Sequence, residues 1–337
     1  ALEALERVVS GDFTRLSTVI RLRGGGEEGV GEDVTYDGEA HVILQRAGTV
    51  QPLAGTWTLR SFCDHLEGLD LWPQPPSRDA FRHYRVWAYE SAALDLALRQ
   101  AGLPLHAALQ RQPRPLTFVV SLRLGDPPTL DPVRRRLERY PTLRLKLDPT
   151  SDWTQEIVAD LQATGAVDSV DLKGLYVGSV VDQGADPVLY RTVAEAFPDA
   201  WIEDPALTDE TLAVLEPHRD RITWDANIHS VADIEGLPFV PRMVNVKPSR
   251  FGGLRELTAA YDFCAAKGIG MYGGGQFELG PGRGQIQYLA SLMHPDTPND
   301  VAPGGYNDNE PPEGLPSSPL DPQPSPTGFR WGEWNER

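Results

Sequence analysis

Between about residue 115 and residue 305 the apolar and polar positions switch repeatedly between two periods. The runs LTFVVSLRL, LRLKLD, SVDLKGL, AWIEDP, ITWDANI, MVNVKP and GIGMYGGG are short and suited to strands. Between most of them stand helical patterns, TQEIVADLQATG, VLYRTVAEAFP, DETLAVLEPHR and LRELTAAYDFCAAKG. Strand–helix alternation at this spacing predicts parallel strands with helical crossovers. About seven or eight such units favour a closed β/α barrel over an open doubly wound sheet. No GxGxxG follows the first strand, which weighs against a dinucleotide-binding fold.

The flanking regions have a different texture. Before about residue 109, the alternating stretch 16–22 meets a glycine-rich acidic segment, which predicts a strand followed by a mobile loop. The same region closes on a helix with Ala92, Ala93, Leu96 and Ala97 at helical spacing and Gly102 as its C-cap. It is an α+β region. After about Pro311 the chain is rich in proline, yet it carries Phe329, Trp331 and Trp334. Large apolar groups are wasted in solvent, so this tail is expected to fold back on the first region as extended structure.

In a β/α barrel the chemistry sits at the C-terminal ends of the strands. The residues predicted there are Arg144 and Lys146 on the second strand, Asp171 and Lys173 on the third, and Glu203 on the fourth. Asp225 and Asn227 follow on the fifth, Lys247 on the sixth, and Gln276 and Glu278 after the seventh. Positions two apart on a strand share a face, so Arg144 is expected to point with Lys146, and Asp171 with Lys173. Any one of these charges alone reads best as a salt bridge or cap; it is their joint fall on successive strand ends that carries the signal. Asp171, Glu203 and Asp225 would repel one another in a barrel mouth, and a hard divalent cation, best Mg²⁺, resolves that repulsion. Lys146 and Lys247 would flank the metal, and a lysine near other cations has a depressed pKa and can act as a base. This suits removal of a proton next to a carboxylate, through an enolate stabilised by the metal. Asp204, before Pro205, reads as the start of a turn. The glycines at 273–275 read either as a tight barrel corner or as a phosphate grip.

Composition narrows the function without naming it. The chain has 337 residues, 40% hydrophobic and 23% charged, with a formal net charge of −17. That balance disfavours nucleic acid as a partner. The basic run RRRLER at 134–139 sits in an amphipathic helical pattern and reads as a solvated face. The two cysteines, Cys63 and Cys264, lack metal-binding spacing and are expected to pack as small apolar groups. No apolar run approaches the roughly 20 residues that span a bilayer, and ALEALERVVS is amphipathic rather than a signal peptide. A cytoplasmic protein without membrane or nucleic-acid partners, and a homo-oligomer, is the expectation.

The chain resembles the enolase superfamily, and within it the muconate-lactonizing-enzyme and o-succinylbenzoate-synthase-like subgroup, as a divergent member. The resemblance spans nearly the whole sequence. It rests on GVGEDVTY, similar to the loop of the family's capping domain, on ESAALDLALRQAGLPLHAAL, on KPSRFGG, and above all on the order and intervals of Lys146, Asp171, Glu203, Asp225 and Lys247. It implies a (β/α)7β TIM-type barrel with an α+β capping domain. The cap would be residues 1–112, the barrel 113–308, and 309–337 a segment packing back on the cap. It also implies Lys146 and Lys247 as acid/base residues and Asp171, Glu203 and Asp225 as Mg²⁺ ligands. Arg144, Lys173, Asn227, Gln276 and Glu278 are the candidate contacts to a small carboxylate substrate, with Glu278 and residues 24–36 shaping specificity. The expected outcome is racemisation or epimerisation, cycloisomerisation or loss of water. Three departures stand out: Arg144-x-Lys146 where the family has Lys-x-Lys, Lys173 where it has asparagine, and Asp225-Ala226-Asn227 where it has Asp-Glu-Ser. Lys173 sets a third cation near the metal, either weakening it or contacting an anionic substrate. Alternatives from other classes are a barrel that binds without catalysis, and a Schiff-base enzyme gripping phosphate at 273–275.

Overall fold

The computed structural model describes residues 1–10, 13–48, 51–178 and 181–332. Trp334 lies outside them.

The chain opens with an antiparallel sheet of β1 (Leu2–Ser10), β2 (Phe13–Gly24) and β3 (Glu27–Asp33) in the order β1-β2-β3. The acidic glycine-rich segment is therefore no mobile loop. Only Gly25 and Gly26 form the turn, and the rest is a strand. Helices α1 (Gly38–Ala47), α2 (Leu59–Glu67), α3 (Phe81–Gln100) and the single turn α4 (Leu105–Ala108) complete this part. The glycines of β3 serve contact rather than motion: a Cβ at Gly29 or Gly31 would collide with the backbone of α3 at Ala92 and Ala88. Small residues on both elements let strand and helix touch. A separate apolar cluster, with Ile20, Val34, Phe62, Leu66, Tyr84 and Ala88 among its members, fills the cap.

The barrel follows as β4 (Val120–Leu122), α5 (Asp131–Arg139), β5 (Leu145–Leu147), α6 (Gln155–Thr164), β6 (Val167–Asp171), α7 (Pro187–Ala196), β7 (Trp201–Glu203), α8 (Asp209–Leu215), β8 (Ile222–Thr223), α9 (Val231–Glu235), β9 (Met243–Val246), α10 (Pro248–Phe251), α11 (Leu254–Lys267), β10 (Gly270–Gly273) and α12 (Pro281–Met293). Strands β4 to β8 pair in parallel in sequence order, and β9 pairs in parallel with β10. Asn245 N–H donates to the Trp224 carbonyl at 2.9 Å and joins the two sheets. Residues 299–300 supply the last stave, pairing in parallel with Phe118 on one side and Gly274 on the other. The ring is thus closed, as a (β/α)7β barrel. The larger apolar cluster, including Val120, Leu145, Leu147, Val170, Ile202 and Val244, all fully buried, packs the outer face of the strands against helix residues such as Val158, Leu161, Val193 and Leu257.

The described tail lies against the cap and the barrel. Leu320 bridges Leu116, and the Phe329 ring meets Trp87 edge-on at 6.2 Å. Asp95 of α3 accepts from Phe329 N–H at 2.8 Å and from Arg330 Nε at 2.9 Å. In α5, Arg134 and Arg135 make exposed ion pairs with Asp160 and Glu310, whereas Arg136 turns inward onto the carbonyls of Tyr306 and Asp308. Both cysteines are buried, and burial pushes their thiols up, to about 12 at Cys63 and about 11 at Cys264. No described helix is long and apolar enough to cross a membrane.

Candidate active site

Lys146, Asp171, Glu203, Asp225 and Lys247 occupy the C-terminal ends of five successive staves, β5 to β9, and all are buried. In a ring of eight staves, β5 and β9 stand opposite each other, with the three carboxylates on the staves between. Lys146 Nζ is paired with Glu203 Oε1 and lies 3.1 Å from Asp171 Oδ2 and 3.6 Å from Asp300 Oδ2. Lys247 Nζ donates to Asp225 Oδ2 at 2.7 Å. Room for Lys247 comes from the glycine run: a Cβ at Gly274 would lie 2.5 Å from Lys247 Cε. Gly274 is thus explained by the lysine beside it, whereas a Cβ at Gly273 would meet His294 and one at Gly275 would meet Glu278 and Ile286.

Lys173 has φ +53°, a left-handed conformation rare for a side chain of its size. The turn brings its N–H to Asp171 Oδ1 at 3.2 Å and its ammonium onto Asp171 Oδ2. Asp204 is also left-handed, φ +49°, and buried. It is more than the start of a turn. Its two oxygens accept from Asp225 N–H at 2.8 Å and Ala226 N–H at 2.9 Å, which fixes the end of β8. Strained backbone at two adjoining strand ends is what a site over-determined by its surroundings sustains.

Four further residues join the group. Tyr176 donates to Asp225 Oδ2 at 2.9 Å, and Arg250 Nη2 sits 3.0 Å from the Tyr176 hydroxyl and 3.4 Å from the same carboxylate oxygen. Tyr272 of β10 donates to Glu203 Oε2. Asp148, beyond β5, is held by Arg123 at 2.8 Å. Arg250 was within reach of sequence reasoning, three residues after Lys247 at the start of a short helical turn. Asp148 was too, two residues after Lys146 along one strand face. Nothing in the sequence singles out Tyr176 or Tyr272.

Two candidates are not brought to this group. Arg144 precedes the paired part of β5, and a register shift between Leu145 and Lys146 leaves Asp168 of β6 as an extra residue. Arg144 Nε takes Asp168 Oδ1 at 2.9 Å, and Nη1 takes the Gly165 carbonyl at the end of α6, so it lies at the opposite end of the barrel. Sharing a face does not fix height along the strand: Arg144 stands two residues, roughly 7 Å, nearer the N-terminal end of β5 than Lys146. Asn227 is exposed in the turn after β8, where the Arg250 guanidinium binds the Ala226 carbonyl instead. Gln276 and Glu278 are buried where the cap meets the barrel. Gln276 Nε2 donates to Tyr84 of α3 at 3.1 Å, and Glu278 braces its own loop through Gln276 N–H at 2.6 Å and Arg283 at 3.1 Å. The start of α12 offers no phosphate grip, because Glu32 of β3 already takes the N–H groups of Leu279, Gly280 and Gly282.

Burial alone would raise all three carboxyls. At Asp171 it is outweighed by Lys173 and Lys146, and at Asp225 by Arg250 and Lys247, so both are held far below the usual range. At Glu203 burial wins over Lys146, helped by Asp171 and Asp225, and the carboxyl is pushed well up. Burial together with Asp225 and Asp171 raises Asp204 to about 7. Lys146 runs against the expected depression: burial lowers it, but Glu203 and Asp171 more than compensate and hold it well above the ordinary lysine value. A cation bound to those two carboxylates would remove that hold.

The donor set fits a hard cation. Oxygens of Asp171, Glu203 and Asp204 lie within 4.8 Å of one another. Asp204 has both oxygens committed to backbone N–H groups, whereas the buried Asp225 Oδ1 has no hydrogen-bond partner. Asp225 stands outside that trio, yet its unpartnered Oδ1 leaves it, with Asp171 and Glu203, as the candidate ligand set, and Asp204 as a brace.

A capped, closed (β/α)7β barrel with lysines facing each other across strand-end carboxylates has the fold of the enolase superfamily. A probable mandelate racemase from Alicyclobacillus acidocaldarius matches with a TM-score of 0.67 at 20% identity, over 90% of this chain and 84% of that one. A muconate cycloisomerase from Pseudomonas fluorescens matches with a TM-score of 0.66 at 18% identity, over 99% and 94%. In sequence, the chain is similar to the o-succinylbenzoate-synthase-like subgroup. It is 28% identical to the o-succinylbenzoate synthase of Geobacillus kaustophilus over 65% of this chain. It is also 28% identical to the N-succinylamino acid racemase of Thermus thermophilus, over 86% of this chain and 78% of that protein. The chain spans 59% of the length of the Geobacillus enzyme. The chain belongs to the DUF8230 family, whose two models are described as the N-terminal and C-terminal domains of a domain of unknown function and match residues 1–108 and 112–308.

Proposed function

We propose that this protein is a Mg²⁺-dependent lyase or isomerase that removes the α-proton of a carboxylate substrate to give its enolate. The observation that carries the reading is the pair of buried lysines on opposite staves, Lys146 and Lys247, with Asp171, Glu203 and Asp225 on the three staves between. Mg²⁺ held by those carboxylates would supply electrostatic stabilisation for the charge that develops on the substrate carboxylate. Lys146 and Lys247 address the α-carbon from its two faces, one taking the proton and the other returning it or steadying the enolate. Tyr176 and Arg250 hold Asp225, and Tyr272 holds Glu203, so the ligands are positioned before substrate arrives. Gln276, Tyr84 and the end of the cap segment at Tyr36, whose ring lies against Arg15, form the side from which specificity is set.

The relatives named for o-succinylbenzoate and N-succinylamino acids direct the first substrates to a carboxylate bearing a succinyl group. The test is α-proton exchange of N-succinylamino acids in deuterated water with Mg²⁺, followed by NMR. Exchange by the wild type, lost in Lys146→Ala and in Lys247→Ala, is expected. Exchange that survives both substitutions would overturn the reading.

A further inference from the structure

Lys173 sits on a carboxylate that the reaction needs. Its ammonium is paired with Asp171 Oδ2 and its own N–H takes Asp171 Oδ1, so one residue engages both oxygens of that side chain. The same ammonium lies 3.7 Å from Asp148 Oδ1. That oxygen is buried and has no hydrogen-bond partner, while Oδ2 of the same side chain is anchored by Arg123 at 2.8 Å. Asp148 is thus fixed in place with one oxygen facing Lys173. A buried acceptor without a partner is costly, so its retention calls for an explanation. The Tyr176 ring, 4.9 Å from the ammonium, supplies a cation-binding face beside both positions. Lys146 and Glu203 are the other charged groups that face this ammonium.

We propose that Lys173 is a tethered cation that competes with the divalent metal for Asp171 and moves onto Asp148 when the metal takes that carboxylate. The inference rests on the metal reading above. An ammonium already 3.7 Å from its second acceptor makes the exchange a rotation of a flexible side chain rather than a rearrangement of backbone. The consequence is a metal affinity set by two groups with opposite signs. Lys173 opposes binding by occupying a ligand, and Asp148 assists it by receiving the displaced charge. Lys173 is a positioning residue in this scheme, and it needs no contact with substrate.

The experiment measures metal binding alone, by thermal shift with Mg²⁺ and by electron paramagnetic resonance with Mn²⁺, in wild type, Lys173→Met, Lys173→Gln and Asp148→Asn. Lys173→Met is expected to tighten the apparent Kd about tenfold or more, since removing one like charge beside the ion is worth at least a pK unit or so. Lys173→Gln checks that the effect follows the charge rather than the packing of one variant. Asp148→Asn is expected to weaken binding several-fold. Unchanged affinity in both Lys173 variants, with the wild type binding metal, would overturn the competition and leave the metal site standing. Failure of every protein to bind either ion would overturn the metal reading and this inference with it. Binding by the Lys173 variants where the wild type shows none supports it.

Discussion

The barrel mouth and the joint between cap and barrel are both built from buried charge, and they treat it in opposite ways. At the joint the two central charges are saturated, although Glu278 Oε2, Arg283 Nε and Gln285 Oε1 nearby have no hydrogen-bond partner. Arg15 of β2 donates to the carbonyls of Thr35 and Val34 at 2.5 and 2.6 Å, and to Gln276 and Phe277 at 2.9 and 3.2 Å. Glu32 of β3 accepts from Ser17 and Leu279 at 2.7 Å, and from Gly280 and Gly282 at 2.9 and 3.0 Å. At the mouth, Asp148 Oδ1, Asp225 Oδ1, Ser169 Oγ and both amide atoms of Asn245 are buried without a partner, and carboxylates crowd one another. Saturated buried charge is what fixes a structure, because every desolvation penalty is repaid in hydrogen bonds. Unsaturated buried charge destabilises, and persists where something else is to be bound. The joint holds the cap in place; the mouth keeps the unsatisfied groups that the proposed chemistry would use.

Substitutions can break or sharpen that contrast. The largest effect is expected at the mouth lysines. Lys146→Ala should reduce substrate proton exchange by about 10³-fold, in the range set by loss of a positioned acid/base group, while leaving the circular dichroism spectrum unchanged. Next comes the joint. Glu32→Ala strips the acceptor from three backbone N–H groups, and at about 1–3 kcal/mol for each buried donor left unmade it should lower the urea midpoint more than any single mouth substitution. Glu203→Gln relieves crowding among the carboxylates and should raise the melting temperature without Mg²⁺ while abolishing the Mg²⁺-dependent rise. A joint variant that melted like the wild type would end the contrast from the other side. The smallest effect is expected at Asn245→Leu, an apolar replacement of similar shape for an amide with neither atom bonded. It should be neutral or stabilising by about 1 kcal/mol in a denaturant melt.

The two regions also differ in how far the sequence exposes them. The mouth was legible because a barrel strand end is a local event: a β-branched run stops and a charge follows, so Lys146, Asp171, Glu203, Asp225 and Lys247 stand out without knowledge of their neighbours. Arg144 lies away from the mouth because its partners, Asp168 and the Gly165 carbonyl, stand near the N-terminal end of the barrel, and neither is marked on β5 itself. The joint was illegible for the same reason on a larger scale. Gly29 and Gly31 read as a loop because the helix that needs them small, α3, comes some sixty residues later. Glu32 looked like loop acidity, though its partners stand at 279–282. Helix α12 has no helical signature at its start, because it begins Pro281-Gly282-Arg283-Gly284, a composition of turns.

The closing stave carries a consequence for the order of assembly. Staves β4 to β8 each pair with the next in sequence, so three of the carboxylates can meet through short-range contacts. Closure instead requires residues 299–300 to find Phe118, and Leu320 to find Leu116, across some two hundred residues of chain. Loop-closure entropy makes such long-range pairing slow. The nascent half-barrel therefore carries its acidic residues on an open, hydrated sheet, where their repulsion is screened, and buries them only at the last step. Folding rate should accordingly rise with salt, most strongly in the phase that buries Trp224 at the end of β8.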